Sequence, residues 1–483
     1  MSQHSITLGF IPANRGFFSD KLAADMREKT IRAMKAAGVG VAVPSEKQTK
    51  VGCVETLPEA ELCAGMFRRE NVQGIVVGAM NFGDEQAVAW TVRQCGLDVP
   101  ILIFGCQEEE VLRKSTSRRD SFCGLLSIGD ALRQIGAKYT AAQRPICYPT
   151  DGSFAKDLDW FVRLCRVVNG VKGARYAQLG TRPEAFWTCR YDEHKLQHLG
   201  PTVVVQDFSE VLAGLAKISD ADPDVQRAAA EIREYADCSK AKAEPIVRQA
   251  RFEVYLRRFA EEHGIDAFAV QCWSSIQNNY GICACSTMSR LGNEGIPCAC
   301  EVDVLGALSM HAALLASDSP AGLADWNNLH NEDDDLVNVW HCGVFPKCFA
   351  GEQPTMGANE ILVSGGATRA ADSVGLVEFR CKPGPLTLFR LAQEAEGPYK
   401  AIVAEGEVED NRAKTFGAYG WCRIPNLQRF YRDVLLNHCP HHVAITQGHA
   451  GNALYEAFGK YLSSDVYHAT QETPGLYTPR LPF

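Results

Sequence analysis

The sequence predicts an α/β protein: two open, parallel-sheet α/β domains followed by an antiparallel, β-rich, barrel-like C-terminal domain. Three observations carry this. Short apolar runs bounded by breakers, residues 74–78 (GIVVG) and 100–105 (PILIFG), read as strands buried on both faces, the pattern of a parallel sheet. Helical periodicity alternates with such runs, as in residues 19–37, where Leu22, Met26, Ile31 and Met34 form one stripe. After about residue 316 the texture changes to short strands punctuated by Gly and Pro. At roughly 150 residues per domain the 483 residues fit about three domains, placed at 1–150, 151–315 and 316–483.

The first domain opens with an apolar strand, Ile6–Ile11, and a turn from Pro12 to Gly16. The helix over 19–37 leads to a second strand, Val39–Val43, ended by Pro44. Pro145, Pro149 and Gly152 mark a break near residue 150. In the second domain, Trp160–Val168 reads as helix, Arg175–Leu179 and Thr202–Val205 as strands, and residues 225–262 as long charged helix. Ala267–Cys272 and Pro297–Glu301 read as buried strands, with a helix over Leu305–Leu315. The third domain offers strands at Val337–His341, Ile361–Val363, Gly375–Arg380, Leu386–Leu391, Ala401–Val408 and Val443–Thr446, then a helix over Ala453–Leu462. No internal repeat is evident.

Composition narrows the function. Hydrophobic residues at 46% and charged residues at 22% describe an ordinary globular chain. The net charge of −9 argues against nucleic-acid binding, which needs a basic footprint. No apolar run reaches the ~18 residues that span a bilayer, and the start lacks the features of a secretion signal. Nineteen cysteines without an export signal read as reduced, buried thiols of a cytoplasmic protein. The C-x-C pairs Cys283/Cys285 and Cys298/Cys300 have one residue between thiols, fewer than structural zinc sites use, and read as core packing. P-loop, G-x-S-x-G, H-E-x-x-H and G-x-G-x-x-G patterns are absent from the expected places.

The chemistry-bearing residues sit where strands end. Glu301 and Asp303 follow a very apolar strand, where a carboxylate is costly unless it is paired, bound to metal, or capping the next helix. Asp325 precedes Trp326, Asn327 and Asn328, a mix of aromatic and amide that suits a sugar pocket. His341 ends a strand and reads either as a half-buried imidazole or as a site residue. His449 lies between Gly448 and Gly451, after a strand and before a helix, as a ligand, an acid–base group or a plain loop histidine. His438, His441 and His442 read as surface residues of a Pro-containing loop. Together Glu301, Asp325 and His449 make an O/O/N set that suits Mn²⁺ or Mg²⁺ better than a thiol-preferring metal.

Ala299–Asp303 with its following helix, the Asp325-Trp326-Asn327-Asn328 run and Thr446-Gln447-Gly448-His449 resemble segments of the L-fucose isomerase superfamily. Arg175–Leu179 with Gly180-Thr181-Arg182, and Leu386–Leu391, extend the resemblance over the full length. It implies a metal-dependent aldose–ketose isomerase working through an ene-diol on an open-chain sugar. Glu301, Asp325 and His449 would hold Mn²⁺, with Mg²⁺ as the alternative, and Glu301 and Asp325 would be the catalytic carboxylates. Arg15, Met80, Asn81, Gln271, Trp326, Asn327 and His341 would contact substrate. The partners implied are a small sugar and further copies of the chain, hexamers in relatives, with the first domain of one subunit covering another's site. The chain departs from the well-known fucose isomerases in being shorter and in carrying Met80 where they place a Trp. That points away from L-fucose and towards a sugar with a more polar or charged C5–C6 end, sulfoquinovose among the candidates. A non-catalytic sugar-binding protein and a metal-dependent aldolase or epimerase are the rival readings.

Overall fold

A computed structural model describes residues 6–114, 117–410 and 414–468. The described residues form two compact units, divided between Asn169 and Gly170.

The first unit is built on a five-stranded parallel sheet. Its strands are β1 (Thr7–Ala13), β2 (Gly40–Ala42), β3 (Gly74–Ala79), β4 (Ile101–Cys106) and β5 (Thr140–Cys147), in the order β2-β1-β3-β4-β5. Every residue of β3 and β4 is buried, as their unbroken apolar runs require. Three of its helices start at side-chain caps: Ser19 for Asp20–Ala36, a Thr56/Glu59 capping box for Leu57–Arg69, and Asp84 for Glu85–Cys95. β5 was not legible in the sequence because it is an edge strand. Its central residues Gln143, Arg144 and Pro145 are exposed, and Pro145 is tolerated where no neighbour needs its missing N–H. The helix expected at Trp160–Val168 runs from Gly152 to Gly173.

The second unit begins with a four-stranded parallel sheet: β6 (Arg175–Leu179), β7 (Thr202–Gln206), β8 (Ala267–Val270) and β9 (Cys298–Ala299), in the order β7-β6-β8-β9. The chain runs outward from β6 to β7 and then crosses to β8 on the other side. The crevice beyond the carboxyl ends of β6 and β8 is therefore a topological switch point, where open α/β sheets bind ligands. The charged stretch 225–262 divides into two helices, Pro223–Tyr235 and Ala243–His263, joined by an apolar seam that includes Val225, Ile232, Ile246 and Val254.

A nine-stranded sheet follows. Its strands are β10 (Ala321–Leu329), β11 (Leu336–His341), β12 (Thr355–Ala358), β13 (Val374–Arg380), β14 (Gly384–Ala392), β15 (Lys400–Glu409), β16 (Ala418–Arg423), β17 (His442–Gln447) and β18 (Asp465–His468). Six of them, in the cyclic order β16-β11-β10-β17-β14-β15, close into a barrel in which every pairing is antiparallel. β13 and β18 flank the closed ring through parallel pairings to β16 and β15. The apolar triplet Ile361–Val363, expected as strand, is instead one helical segment, Glu360–Ser364, with Asn359 accepting from Leu362 N. So short an apolar run fits either period, and the cap decides it.

The helix Val304–Ser317 is apolar on all sides and packs against both β8 and β9 and the barrel strands β14 and β17. It fixes the parallel sheet against the barrel rim, and the candidate site lies at its N-terminus. The cysteines are free thiols, most of them buried, including Cys283, Cys285, Cys298 and Cys300. Among the described residues no helix is long and apolar enough to cross a membrane.

Candidate active site

Glu301 follows β9 and points into the seam between the parallel sheet and the barrel. Its backbone and that of Val302 are left-handed, with φ of 53° and 58°. Non-glycine residues avoid this region, a β-branched valine most of all, and such strain persists where surrounding structure enforces it, often at functional sites. The turn carries the chain from Glu301 to Asp303, which caps the helix Val304–Ser317 by accepting from Gly306 N at 2.8 Å.

The barrel supplies the other residues. Antiparallel register sets Asp325 of β10 directly opposite His442 of β17, so the two side chains are cross-strand neighbours. His341 ends β11. The Glu301 Oε2 oxygen lies 3.1 Å from His442 Nε2 and 3.7 Å from His341 Nε2, and His442 Nε2 lies 3.6 Å from Asp325 Oδ1. Glu301 Oε1 accepts from Trp273 Nε1 at 2.9 Å. Glu301 Oε2 and Asp325 Oδ1 are buried and accept no directed hydrogen bond.

Two carboxylate oxygens without hydrogen-bond donors meet at His442 Nε2, where the triads Glu301/His341/His442 and Asp325/His441/His442 gather atoms able to hold a cation. The separations are close to the ~3 Å expected between adjacent ligands about 2.1 Å from one ion. The O/O/N/N donor set fits Mn²⁺, with Mg²⁺ as the harder alternative.

A supporting layer fixes His442. Its Nδ1 lies 2.8 Å from Asp303 Oδ2, and Arg390 of β14 grips the same carboxylate with two hydrogen bonds, of 2.5 and 3.1 Å. With Nδ1–H donated to Asp303, Nε2 keeps its lone pair for a metal, the arrangement in which an outer carboxylate orients a ligating imidazole. Gly306 makes room for this: a Cβ there would stand 2.6 Å from Asp303 Oδ2.

Burial would raise the Glu301 carboxyl, but His341 and His442 outweigh it and hold the group well below the usual carboxylate range. Asp325 keeps 18% of its side chain open, yet burial of its carboxyl dominates, and the two imidazoles only partly offset a rise. The two carboxylates are thus pushed apart, which is how one site obtains a base and a proton carrier. Burial would lower His341 and His442; Cys342 and Asp325 beside the first, and Asp303 and Cys189 beside the second, raise both instead. A cation at these rings would compete with protons, whose binding the neighbouring groups favour. Apparent Mn²⁺ affinity should therefore fall as the pH falls, by up to about tenfold per pH unit for each proton displaced. Manganese titrations at about pH 6 and about pH 8 check this, and equal affinities would contradict it.

A cavity of about 940 Å³ opens at the switch point between β6 and β8. Trp273 and Cys189 belong to its wall, and both touch the group, the first through Glu301 and the second 3.9 Å from His442 Nδ1. Phe186 packs on Trp273 and His441, with ring centroids 4.9 and 5.8 Å apart, and shields the group from water.

Two family models match this chain: the fucose/sulfoquinovose isomerase N-terminal domain over residues 9–172 and the L-fucose isomerase C-terminal domain over residues 339–469. The chain belongs to the L-fucose isomerase-like superfamily. Its relatives include the sulfoquinovose isomerase of Alkalicoccus urumqiensis, 28% identical over 345 residues, 70% of this chain and 72% of the relative. That of Priestia megaterium is 22% identical over 413 residues, 84% and 86% of the two chains. That of Clostridium sp. (strain MSTE9) is 24% identical over 319 residues, 62% and 66%. The protein is an isomerase of the aldose–ketose class, as the matching family models and its relatives indicate.

The structure places Glu301, Asp325 and His341 around His442, and not around His449, the third ligand expected from the sequence. His449 lies beyond the far end of β17, exposed. The six residues of that strand span roughly 17 Å at ~3.3 Å per step, so residues before and after it do not share one ion. The expectation that His442 is a surface residue is corrected: its side chain is 1% exposed. Asp303 and Arg390 were missed as supports, although the buried arginine in an apolar strand was a readable signal. Gln271 lines the cavity and accepts from Thr181 N at 3.1 Å. Trp326 packs against Phe430, and Asn327 is exposed beside Asn328; neither joins the group. Met80 and Asn81 are fully buried in the first unit and present no surface to a sugar. Asn81 instead accepts from Arg15 N at 3.0 Å, and Arg15 lies over Phe82 and pairs with Glu85.

Proposed function

We propose that this protein converts sulfoquinovose to its ketose at a single divalent cation, Mn²⁺, held by Glu301, Asp325 and His442 with His341 beside them. The observation that carries the reading is the convergence of two orphaned carboxylate oxygens and the His442 imidazole against a switch-point cavity, in a chain whose relatives are sulfoquinovose isomerases. A cation held there supplies Lewis-acid polarisation of the sugar carbonyl. Glu301, kept ionised, accepts the proton from C2 of the open-chain sugar, and the resulting ene-diol regains a proton at C1. Asp325, whose carboxyl holds a proton more readily, exchanges one with the sugar hydroxyls at O1 and O2. Trp273 orients Glu301 by its hydrogen bond to Oε1, and the Phe186 ring excludes water. The same reading takes the enzyme to be a cytoplasmic homo-oligomer, as the family resemblance implies.

Chelation followed by metal return tests it. Protein stripped with EDTA should lose at least about 99% of its sulfoquinovose isomerisation, the scale of losing Lewis-acid and acid–base help together. Mn²⁺ should restore the activity, followed as ketose signals by NMR. Full turnover in protein shown metal-free by elemental analysis contradicts the proposal. L-Fucose turned over tenfold better than sulfoquinovose contradicts the substrate.

A further inference from the structure

The loop that follows β6 places two arginines, Arg182 and Arg190, on the wall of the cavity whose other wall carries Trp273 and Val302 beside Glu301. Both sit at the carboxyl end of β6, one side of the topological switch point. Arg182 is half-buried, and its Nη1 donates to the carbonyl oxygens of Pro183 and Glu184 at 2.9 and 2.8 Å, which fixes the plane of the guanidinium. Arg190 lies over the Trp187 ring, 4.1 Å from its centroid. Among the described residues neither arginine forms an ion pair. The one carboxylate on the cavity wall is that of Glu184, which is exposed. On another crevice Arg257, by contrast, pairs with Glu253 and Glu294. Two pre-oriented, uncompensated guanidinium groups in a ligand cavity are suited to a tetrahedral oxyanion, because each fork presents parallel donors to two oxygens.

We infer that Arg182 and Arg190 form the subsite for an anionic terminal group of the sugar, a sulfonate, while the carbonyl end lies at Glu301, Asp325 and His442. The inference rests on the sulfoquinovose reading for the identity of the anion and on the unpaired arginines for its existence. Arg182, fixed by its own loop, aims the anion. Arg190, exposed and stacked on Trp187, closes over it. Gln178, Gln271 and Asn279, which also line the cavity, offer neutral partners for the sugar hydroxyls between the two ends.

The test compares kcat/KM for sulfoquinovose, D-glucose and D-glucose 6-phosphate in the metal-replete wild type, Arg182→Ala, Arg182→Lys and Arg190→Ala. These sugars share a skeleton and differ in charge at C6. The sulfoquinovose-to-glucose ratio should fall at least about tenfold in both alanine variants, through KM more than kcat, with Arg182→Lys intermediate because it keeps charge and loses the fork. Arg190→Ala is a surface change, so its melting temperature should match the wild type and its result stands if Arg182→Ala folds poorly. A ratio that stays constant in Arg190→Ala and Arg182→Lys, while the wild type turns over sulfoquinovose, overturns the subsite and leaves the proposed function standing. A wild type that prefers the phosphate, with that preference lost in the variants, keeps the subsite and overturns the sulfonate. If none of the sugars is isomerised, the proposed function fails. The subsite is then decided by whether sulfoquinovose raises the melting temperature of the wild type and not of Arg190→Ala.

Discussion

Glu301→Gln should lower kcat for sugar isomerisation by at least about 10²-fold, the usual scale for losing a general base. The change keeps the volume of the side chain and the acceptor for Trp273 Nε1, but removes the charge that faces His341 and His442. The orphaned Oε2 position becomes either a neutral oxygen or an NH₂ group, and neither accepts a proton from carbon. Metal content must be measured in parallel, because the same oxygen is a ligand. Exchange of the C2 hydrogen with solvent deuterium separates the two roles. A variant that still binds Mn²⁺ but has stopped this exchange has lost its base. Turnover within a few-fold of wild type would remove Glu301 from the mechanism.

Asp303→Asn should weaken Mn²⁺ binding about 10–100-fold although Asp303 is not placed as a ligand, because it takes away the anion that orients His442. It should also destabilise the second unit by about 3–5 kcal/mol, the cost of leaving a buried charge such as that of Arg390 unpaired. Both partners are buried, with side chains 1% and 2% exposed, so solvent does not replace the lost carboxylate. The double change Asp303→Leu with Arg390→Met removes both charges. It should recover most of the melting temperature, since apolar replacements of a buried ion pair are often neutral, and should leave metal affinity as poor as in Asp303→Asn. Recovery of metal binding together with stability would show that the pair serves packing alone.

Much of this architecture was readable because it rests on periodicity. β3, β4 and β8 are apolar runs buried on both faces, and β11, β14 and β15 fall within a residue or two of the expected spans. Five strands were missed: β5 and β10 carry polar outward residues, Arg144 with Pro145 and Asn327 with Asn328, β12 and β18 are only four residues long, and β16, AYGWCR, is a short run interrupted by Gly420. At the site, Glu301 stood out as a carboxylate after a very apolar strand, and Asp325 as an acid beside aromatic and amide groups. His442 was passed over because Pro440 and two neighbouring histidines gave the segment the composition of a loop. What made it a site residue is register: only pairing of β10 with β17 puts His442 opposite Asp325. Glycines around His449 drew attention to a turn, but that turn follows the far end of the strand. Register is a long-range property, fixed by which strands pair, and composition within one segment does not encode it.

An anomalous difference map from crystals grown with Mn²⁺ tests the central claim most directly. The account predicts one strong peak bounded by Glu301 Oε2, Asp325 Oδ1 and His442 Nε2, lost in His442→Ala and retained in His449→Ala. A peak at His449, or at the neighbouring thiols of Cys300 and Cys342, with none between the two carboxylates, would contradict it.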